Sequence, residues 1–369
     1  MFNKIKRFLS NIHLHNEPDA KPITTQLSEI IWLALHYRFS PIEYEAYRFY
    51  LKEQDKEKML TYLSNYEVTN KLRAPLYDQR MLVILNNKLL FNRFFLSAGL
   101  PLPEFLGYYD EESGFLADGN QLKNQEDFTR WINETDIDEL VIKPAGGLQG
   151  FGVIILSHIF RNNHSVSFED TKGKNWTVKE LLGYLNQGVK QSRYPGFILE
   201  KRIVQNPLIS QINSSSINTC RILTFKYPDG SIDIPFAVMR FGRKSSHIDS
   251  WSQGGIACGI EVDKGTLKKG SYNPSWGTTR FSSVHPDSDY KLEGFSVPDW
   301  DDAKNLAIKA ASIIPGIKSI GWDVAISDKG PVLVEGNSTW DPIFIQSINE
   351  GFLTPRNKEK LKLYRLTFR

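Results

Sequence analysis

The stretch WDVAISDKGPVLVEGN, residues 322–337, contains two apolar runs separated by a short polar turn. This pattern predicts two antiparallel strands joined by a three-residue loop at residues 328–330. Gly330 supplies the left-handed conformation that such a loop needs at its last position. In this register Ser327 faces Pro331, and every other pair across the hairpin follows from that one.

Two acidic side chains meet across this predicted hairpin. Counting back from the turn places Asp323 opposite Glu335, with Cβ atoms about 5 Å apart. Asn337 lies two residues after Glu335 and therefore points from the same face of its strand. Opposed like charges destabilise a sheet unless something lies between them, and a hard divalent cation bound by carboxylate and amide oxygens meets that need. We therefore expect these three residues to bind Mg²⁺, with a second ion or Mn²⁺ as options. The alternative is a chance alternation at the end of an edge strand, with Asp323 bound to a neighbouring Lys or Arg.

A second glycine-rich stretch has the composition of a phosphate-binding loop. LVIKPAGGLQGFGVIIL, residues 140–156, reads as a strand ending near Lys143, a flexible loop, and another strand. Repeated glycines let backbone N–H groups approach phosphate oxygens, and the lysine adds a positive charge. The loop glycines are Gly146, Gly147, Gly150 and Gly152. The pattern matches neither a P-loop nor a dinucleotide-binding turn. The competing interpretation is an ordinary glycine-rich hairpin turn with a surface lysine.

The rest of the chain divides into a helical and a mixed part. Apolar residues recur every three or four positions from residue 25 to Gly99, and LSEIIWLALHYRF, PIEYEAYRFYLKEQ and LVILNNKLLFNRFFLSAG are the expected helices. Short β-rich runs with glycine turns and two helices follow, which is typical of an α+β fold. We place boundaries at 1–99 for the helical N-terminal region, 100–205 for a small subdomain with the glycine loop, and 206–369 for a large subdomain with the metal site.

Composition excludes several classes of function. The net charge of +3 over 369 residues gives no basic surplus for nucleic acid. No stretch approaches the roughly 20 apolar residues that cross a bilayer. Residues 1–15 are basic and amphipathic, but one short basic face binds a membrane only weakly, so a terminal helix packed on its own domain is the preferred interpretation. Cys220 and Cys258 form no metal or disulfide pattern, which agrees with a cytoplasmic location.

The order of these motifs resembles the ATP-grasp superfamily. A strand with a lysine and a glycine loop is followed by FILEKRIV, then NTCR, then an aspartate and an E-x-N pair, over roughly residues 87–342. The helical start, SINTCRILT, SQGGIACGIEVDKGTL and HPDSDYKLEGFSVPDW are similar to the sugar-transfer-associated, alpha-L-glutamate ligase-related group. The resemblance implies an ATP-grasp fold, in which two α+β subdomains grip a nucleotide, preceded here by the helical region.

The resemblance also implies roles for individual residues. Lys88 and Lys143 would contact nucleotide phosphates, and Glu200, Lys201 and Ile203 would belong to a hinge whose main chain reads adenine. Arg221 and Arg240 would stabilise the transferring phosphate, and Asp323, Glu335 and Asn337 would hold Mg²⁺.

The chain departs from the family pattern at two places. The acidic ribose contact beyond the hinge is missing, since only Gln205 and Asn206 stand there. The YPDG turn most simply places Arg221 and Arg240 on opposite faces of their hairpin, unless a bulge near Pro235 realigns them.

The implied activity is ligation of a carboxylate to an amine through an acyl phosphate, on a small-molecule or glycan-precursor substrate in polysaccharide biosynthesis. A phosphotransferase acting on a hydroxyl group, or a nucleotide-binding partner of glycosyltransferases without turnover, would use the same ATP site. The sequence does not identify donor, acceptor or oligomeric state. Further candidates, each with a structural alternative, are the serines before Asn218, Asp249 with Ser250, His285, and Trp340 with Asp341.

Overall fold

A computed structural model describes residues 2–146, 152–162, 165–189, 195–244, 246, 249–272 and 280–369. Within these residues the strands form two seven-stranded antiparallel sheets. The first sheet has the order β2-β1-β7-β3-β4-β5-β6 and the second β12-β11-β10-β9-β8-β13-β14. Antiparallel sheets with separate helices confirm the α+β class and the helical N-terminal region. The three domain boundaries stay predictions.

The strands of the first sheet are β1 Phe105–Tyr109, β2 Phe115–Leu116, β3 Leu140–Pro144, β4 Ile154–Asn162, β5 Ser165–Asp170, β6 Asn175–Thr177 and β7 Phe197–Lys201. Those of the second are β8 Thr219–Lys226, β9 Ile232–Phe241, β10 Ile256–Glu261, β11 Thr266–Tyr272, β12 Arg280–Ser282, β13 Ser319–Ser327 and β14 Gly330–Asn337. The helices are α1 Phe2–Ser10, α2 Ile23–Tyr37, α3 Pro41–Ala46, α4 Lys56–Met59, α5 Asn65–Glu67, α6 Arg73–Leu76, α7 Val83–Asn86, α8 Lys88–Ser97, α9 Gln125–Glu134, α10 Val178–Val189, α11 Pro207–Ile212, α12 Trp300–Ile313, α13 Pro342–Ile348 and α14 Pro355–Lys362. None of the described helices is long and apolar enough to cross a lipid bilayer.

The N-terminal helices differ from the sequence prediction in their lengths. The helix expected over residues 41–54 ends at Ala46, and Arg48 has a positive φ of 54°. The helix expected over residues 82–99 is interrupted at Asn87, whose side chain caps α8. Gly99 follows α8 with φ 69°, as the predicted C-terminal glycine requires. In both misjudged helices an internal turn interrupts a run whose apolar spacing alone looks continuous.

The core of the second sheet positions the site. All nine residues of β13 are buried, and α12 packs against β13, β8, β9 and β14 through a face of small and apolar side chains. Alanines at positions 303, 307 and 310 let α12 approach the sheet closely. A separate aromatic cluster around Tyr44, Tyr47 and Phe49 forms the N-terminal core, and Phe8 and Ile12 pack on it.

A bulge decides the register of the hairpin between β13 and β14. Ser327 pairs with Gly330 across a two-residue turn, so the predicted three-residue loop and its Ser327–Pro331 pair are wrong. The register then shifts by one residue between Val324 and Asp323, and this shift brings Asp323 opposite Glu335. The predicted pairing of Asp323 with Glu335 is therefore confirmed. It results from a shorter turn combined with a bulge, and not from the three-residue loop that was predicted.

A second bulge aligns the two arginines. Arg221 on β8 pairs with Val238 on β9, and the register shifts between Leu223 and Phe225, opposite the segment that contains Pro235. The simplest register, with Arg221 and Arg240 on opposite faces, is wrong. The bulge brings both side chains to one face of the sheet.

Candidate active site

A cleft of about 690 Å³ lies between the two sheets and is lined by residues of both. It contains most of the residues that the sequence selects. These are Lys88, Lys143, Glu200, Lys201, Ile203, Arg221, Arg240, Asp323, Glu335 and Asn337. Residues that are far apart in the chain thus converge on one site, and Lys143, Arg221, Arg240 and Asp323 lie next to partners of opposite charge.

The glycine loop begins where β3 ends. Gly147 and Gly150 lie outside the described residues, whereas Gly146 and Gly152 are described at the two sides of that segment. Gly152 has φ 74°, and a Cβ atom there would lie 2.8 Å from Pro144 Cγ. A side chain at Gly152 would therefore meet both backbone strain and a clash with the start of the loop. The phosphate-binding role of the four glycines stays a prediction.

Lys143 is held by an acidic residue of the neighbouring strand. Its Nζ lies 2.6 Å from Oε2 of Glu200, and Glu200 is 6% exposed. Strands β3 and β7 pair directly, which places these two side chains on the same face of the first sheet. The Glu200 carboxylate neutralises Lys143, and it occupies the start of the segment that was expected to read adenine.

Lys88 reaches the cleft from the beginning of α8. Its backbone N–H donates to the carbonyl of Ala145 at 2.8 Å, which attaches the helix to the start of the glycine loop. Burial lowers the pKa of Lys88 below its ordinary value, nearby Glu335 opposes this shift, and Lys143 adds to it. Lys88 therefore lies close enough to Lys143 and to Glu335, the predicted metal ligand on β14, for their charges to change its pKa.

Asp323 is the centre of an ion-pair network. Its Oδ1 accepts from Nε of Arg221, and its Oδ2 accepts from Nη2 of Arg221 and Nη2 of Arg240 at 3.0 Å each. Burial opposes ionisation of Asp323, but the two arginines outweigh it and hold the pKa of this carboxyl well below its ordinary range. The charge that was expected to come from a cation comes from guanidinium groups, which is the alternative considered from the sequence. Asp323 as a metal ligand stays a prediction.

Glu335 and Asn337 form the rest of the predicted metal set. Asn337 Nδ2 donates to Glu335 Oε1 at 3.2 Å and to the carbonyl of Gly321 at 3.4 Å. Among the described residues no group of three or more His, Cys, Asp or Glu side chains is arranged to hold a metal. One carboxylate and one amide oxygen nevertheless suit Mg²⁺, which is usually held by one or two carboxylates and substrate phosphates.

Other candidates have structural roles. Trp340 is 2% exposed and donates to Ser319, and Asp341 caps α13 while lining the cleft. His285 is buried, with Nε2 on the carbonyl of Gly242. Gln205 holds Asn218 through its side-chain oxygen.

Asp249 makes more contacts within the site than the sequence indicated. It lines the cleft beside Arg240, and its Oδ2 accepts from the backbone N–H and the hydroxyl of Thr219. Thr219 was not selected from the sequence. It lies in the NTCR motif, but no role was assigned to it there, and its contacts with Asp249 and Arg240 become apparent only from the structure.

Comparisons with known proteins identify the family and find several similar solved structures. The chain resembles a complex of Campylobacter jejuni biotin carboxylase with beta-gamma-ATP (12% identity, TM-score 0.45, 81% of this chain and 50% of that one). It also resembles N5-carboxyaminoimidazole synthetase from Staphylococcus aureus with ADP (13% identity, TM-score 0.41, 76% and 52%) and D-alanyl-alanine synthetase A from Vibrio cholerae (8% identity, TM-score 0.41, 79% and 64%).

The chain spans about half the length of the first two of these structures. Among curated proteins, none matches the sequence. The family model described as sugar-transfer-associated ATP-grasp matches residues 67–361, which include both sheets and the cleft. The chain therefore belongs to the sugar-transfer-associated ATP-grasp family.

Proposed function

We propose that this protein is an ATP- and Mg²⁺-dependent ligase that joins a carboxylate to an amine through an acyl phosphate. The observation that carries the proposal is the content of the cleft. Lys88 and Lys143 lie at one end, Glu335 and Asn337 on the edge strand beside them, and two arginines farther across the second sheet. This is the order that a nucleotide, a metal and a reacting carboxylate require.

The nucleotide is assigned to the lysine end. Lys143 and Lys88 supply positive charge for the phosphates, and Glu200, Lys201 and Ile203 present the main chain to adenine. Lys143 is neutralised by Glu200 in the structure, so phosphate binding exchanges one anionic partner for another. The glycines at 146, 147, 150 and 152 cover the phosphates and exclude water, which would otherwise compete for the activated acyl group.

Mg²⁺ is assigned to Glu335 and Asn337, whose oxygens are hard ligands that fit it. Asp323 would complete the ligand set, which would also suit Mn²⁺ or a second ion. Bound there, the metal supplies charge neutralisation at phosphate oxygens.

Arg221 and Arg240 are assigned to the transferring phosphate and the carboxylate. Their planar guanidinium groups suit bidentate contacts with oxyanions, and Asp323 holds both on one face of the sheet. The amine then attacks the acyl carbon, and phosphate leaves. The chain's contribution is alignment of the reactants and stabilisation of charge in a site screened from water.

The proposed substrate is a glycan precursor, with a sugar carboxylate or amine joined to an amino-acid-like group in polysaccharide biosynthesis. The family's association with sugar transfer supports this setting. We place the reaction in the cytoplasm, where ATP is present and Cys220 and Cys258, both free and buried, stay reduced.

The test is a screen of uronic acids and amino acids for ADP release with Mg²⁺, followed by trapping with hydroxylamine. A ligase yields a hydroxamate from the carboxylate substrate, whereas a phosphotransferase yields a phosphate ester that hydroxylamine leaves intact. Calorimetry of ATP binding with and without Mg²⁺ distinguishes these two enzymes from a nucleotide-binding protein without turnover. Equal affinities without turnover on any acceptor would contradict the proposal.

A further inference from the structure

Asp249 is bound at the floor of the cleft by groups from two strands. Its Oδ2 accepts from the Thr219 backbone N–H at 3.0 Å and from the Thr219 hydroxyl at 2.6 Å. Nε of Arg240 lies 3.4 Å from the same oxygen. The side chains of Asp249 and Arg240 are only 12% and 13% exposed, so solvent screens this contact weakly.

The hydroxyl of Thr219 has its orientation dictated by Asp249. A threonine hydroxyl has one proton to donate and two lone pairs that accept. The proton goes to Asp249, and the oxygen accepts from Nε of Arg240 at 3.2 Å and from Nη2 of Arg240. The one donor and both acceptor positions of the hydroxyl are therefore occupied, and the Thr219 oxygen holds the guanidinium group of Arg240 in place.

Arg240 is consequently held on two sides. Asp249 contacts it from the loop that follows β9 and Thr219 from β8, and Asp323 binds its Nη2 from β13. Without Asp249 the guanidinium group would keep its contact with Asp323, but the Thr219 hydroxyl that supports it would lose the acceptor that fixes its orientation. A planar fork binds a carboxylate well only in a defined orientation.

We propose that Asp249 is a positioning residue that, together with Thr219, orients Arg240 for the carboxylate substrate. The inference deepens the proposed function and rests on it for the identity of the ligand. It assigns the end of the cleft below β8 and β9 to the carboxylate, away from the lysines that hold the nucleotide.

The chain offers a matched control. Asp287 binds Arg243 at 3.3 Å and the backbone N–H of Lys244, and so attaches the same loop at a place that does not line the cleft. Asp287→Asn removes an acid–arginine contact of similar kind without touching Arg240.

The experiment compares Asp249→Asn, Thr219→Val, Thr219→Ser and Asp287→Asn by steady-state kinetics with the carboxylate substrate found in the screen. We expect Asp249→Asn and Thr219→Val to raise KM for the carboxylate about tenfold, the size of losing one hydrogen bond to a charged group. KM for ATP should stay within about twofold. Thr219→Ser keeps the hydroxyl and should restore the wild-type KM, and Asp287→Asn should behave as wild type. Equal increases in KM for ATP and carboxylate, or an unchanged KM in Asp249→Asn, would overturn the inference.

A second readout does not depend on turnover. In protein with ¹⁵N-labelled arginine, the Arg240 Nε–H signal, assigned by its loss in Arg240→Lys, should exchange with water at least about tenfold faster in Asp249→Asn and in Thr219→Val than in wild type. The Nε–H donates to the Thr219 hydroxyl, which Asp249 orients, so either change weakens the contact that protects this proton. Unchanged exchange would contradict the positioning role. Should wild type release no ADP with any carboxylate while this exchange difference is present, the proposed function fails and the support of Arg240 stands.

Discussion

At the scale of single residues, the charged side chains of the site form buried ion pairs. Asp323 is 2% exposed and binds two arginines, so its removal leaves two guanidinium groups without their shared partner. Removing one partner of a buried pair typically costs about 3–5 kcal/mol. We expect Asp323→Asn to lower the free energy of unfolding by about 3 kcal/mol in urea titrations. Glu359→Gln, which breaks the exposed pair with Lys362, should leave it unchanged, and equal effects of both would refute the argument.

Gly321 makes room for one of these arginines. A Cβ atom at Gly321 would lie 3.0 Å from Cδ of Arg221 and 3.3 Å from Cβ of Trp340, so an added methyl must shift the Arg221 side chain by a few tenths of an ångström from its place beside Asp323. We expect Gly321→Ala to lower kcat/KM about tenfold, the effect of weakening one charged hydrogen bond. Gly336→Ala is the comparison, because its Cβ would strike the buried Trp322 ring and should lower thermal stability instead. A Gly321→Ala enzyme with full activity would show that Arg221 does not need this space.

His285 gives a pH dependence with a defined sign. Burial lowers its pKa in the folded protein, partly offset by the bond to the Gly242 carbonyl. Below about pH 6.5, the unperturbed pKa, His285 therefore binds a proton in the unfolded chain but not in the folded protein. The free energy of unfolding consequently falls as the pH drops through this value. His285→Gln should unfold with a weaker dependence between pH 7.5 and 5, measured as the midpoint in urea. A dependence equal to that of wild type would mean that His285 does not titrate on unfolding.

At the scale of elements, sequence periodicity identified continuous strands better than interrupted helices. The strand predicted from WDVAIS lies within β13, whose nine residues are all buried and mostly apolar, as is typical of a strand covered on both faces. The helix expected over residues 41–54 ends early because aromatic side chains such as Tyr47 and Phe49 also pack well from a turn. The short edge strands β2, β6 and β12 were not predicted, since two or three residues carry no period.

The cap of α8 links an element to the site. Asn87 accepts from the backbone N–H groups of Leu89 and Leu90 and sets the direction in which Lys88 leaves the helix. Loss of an N-cap costs about 1 kcal/mol. Asn87→Ala should lose this stability and also weaken ATP binding by calorimetry. Asn124→Ala removes the cap of α9, another ten-residue helix, and should lose stability alone. Weakened ATP binding in both variants would show that the effect does not come from the position of Lys88.

At the scale of the whole molecule, the charged set of the site was predictable and its internal partners were not. Motif order selected the lysines, the arginines and the acidic hairpin, because those residue types serve one chemistry. The pairs of Lys143 with Glu200 and of Asp323 with Arg240 join residues that are distant in the chain or on different strands. The pair of Lys143 with Glu200 depends on the pairing of β3 with β7, which are distant in the chain. The pair of Asp323 with Arg240 depends on the bulge between β8 and β9, and a bulge shifts every side chain after it by one place without a strong local signal.

Because both sheets line the cleft, a bound nucleotide should stabilise them together. A ligand at 100 times its Kd adds about 2.7 kcal/mol to the folded state. With Mg-ATP, hydrogen exchange read by mass spectrometry should slow in β3 and β7 of the first sheet and in β13 and β14 of the second. Lys143→Met should lose this protection in both sheets, since the nucleotide then leaves the shared site. Lys174→Met removes a lysine that packs on Trp176 outside the cleft and should keep it. Protection confined to the first sheet would mean that the nucleotide binds without engaging Glu335 and Asn337, and the ligase proposal would lose its metal site.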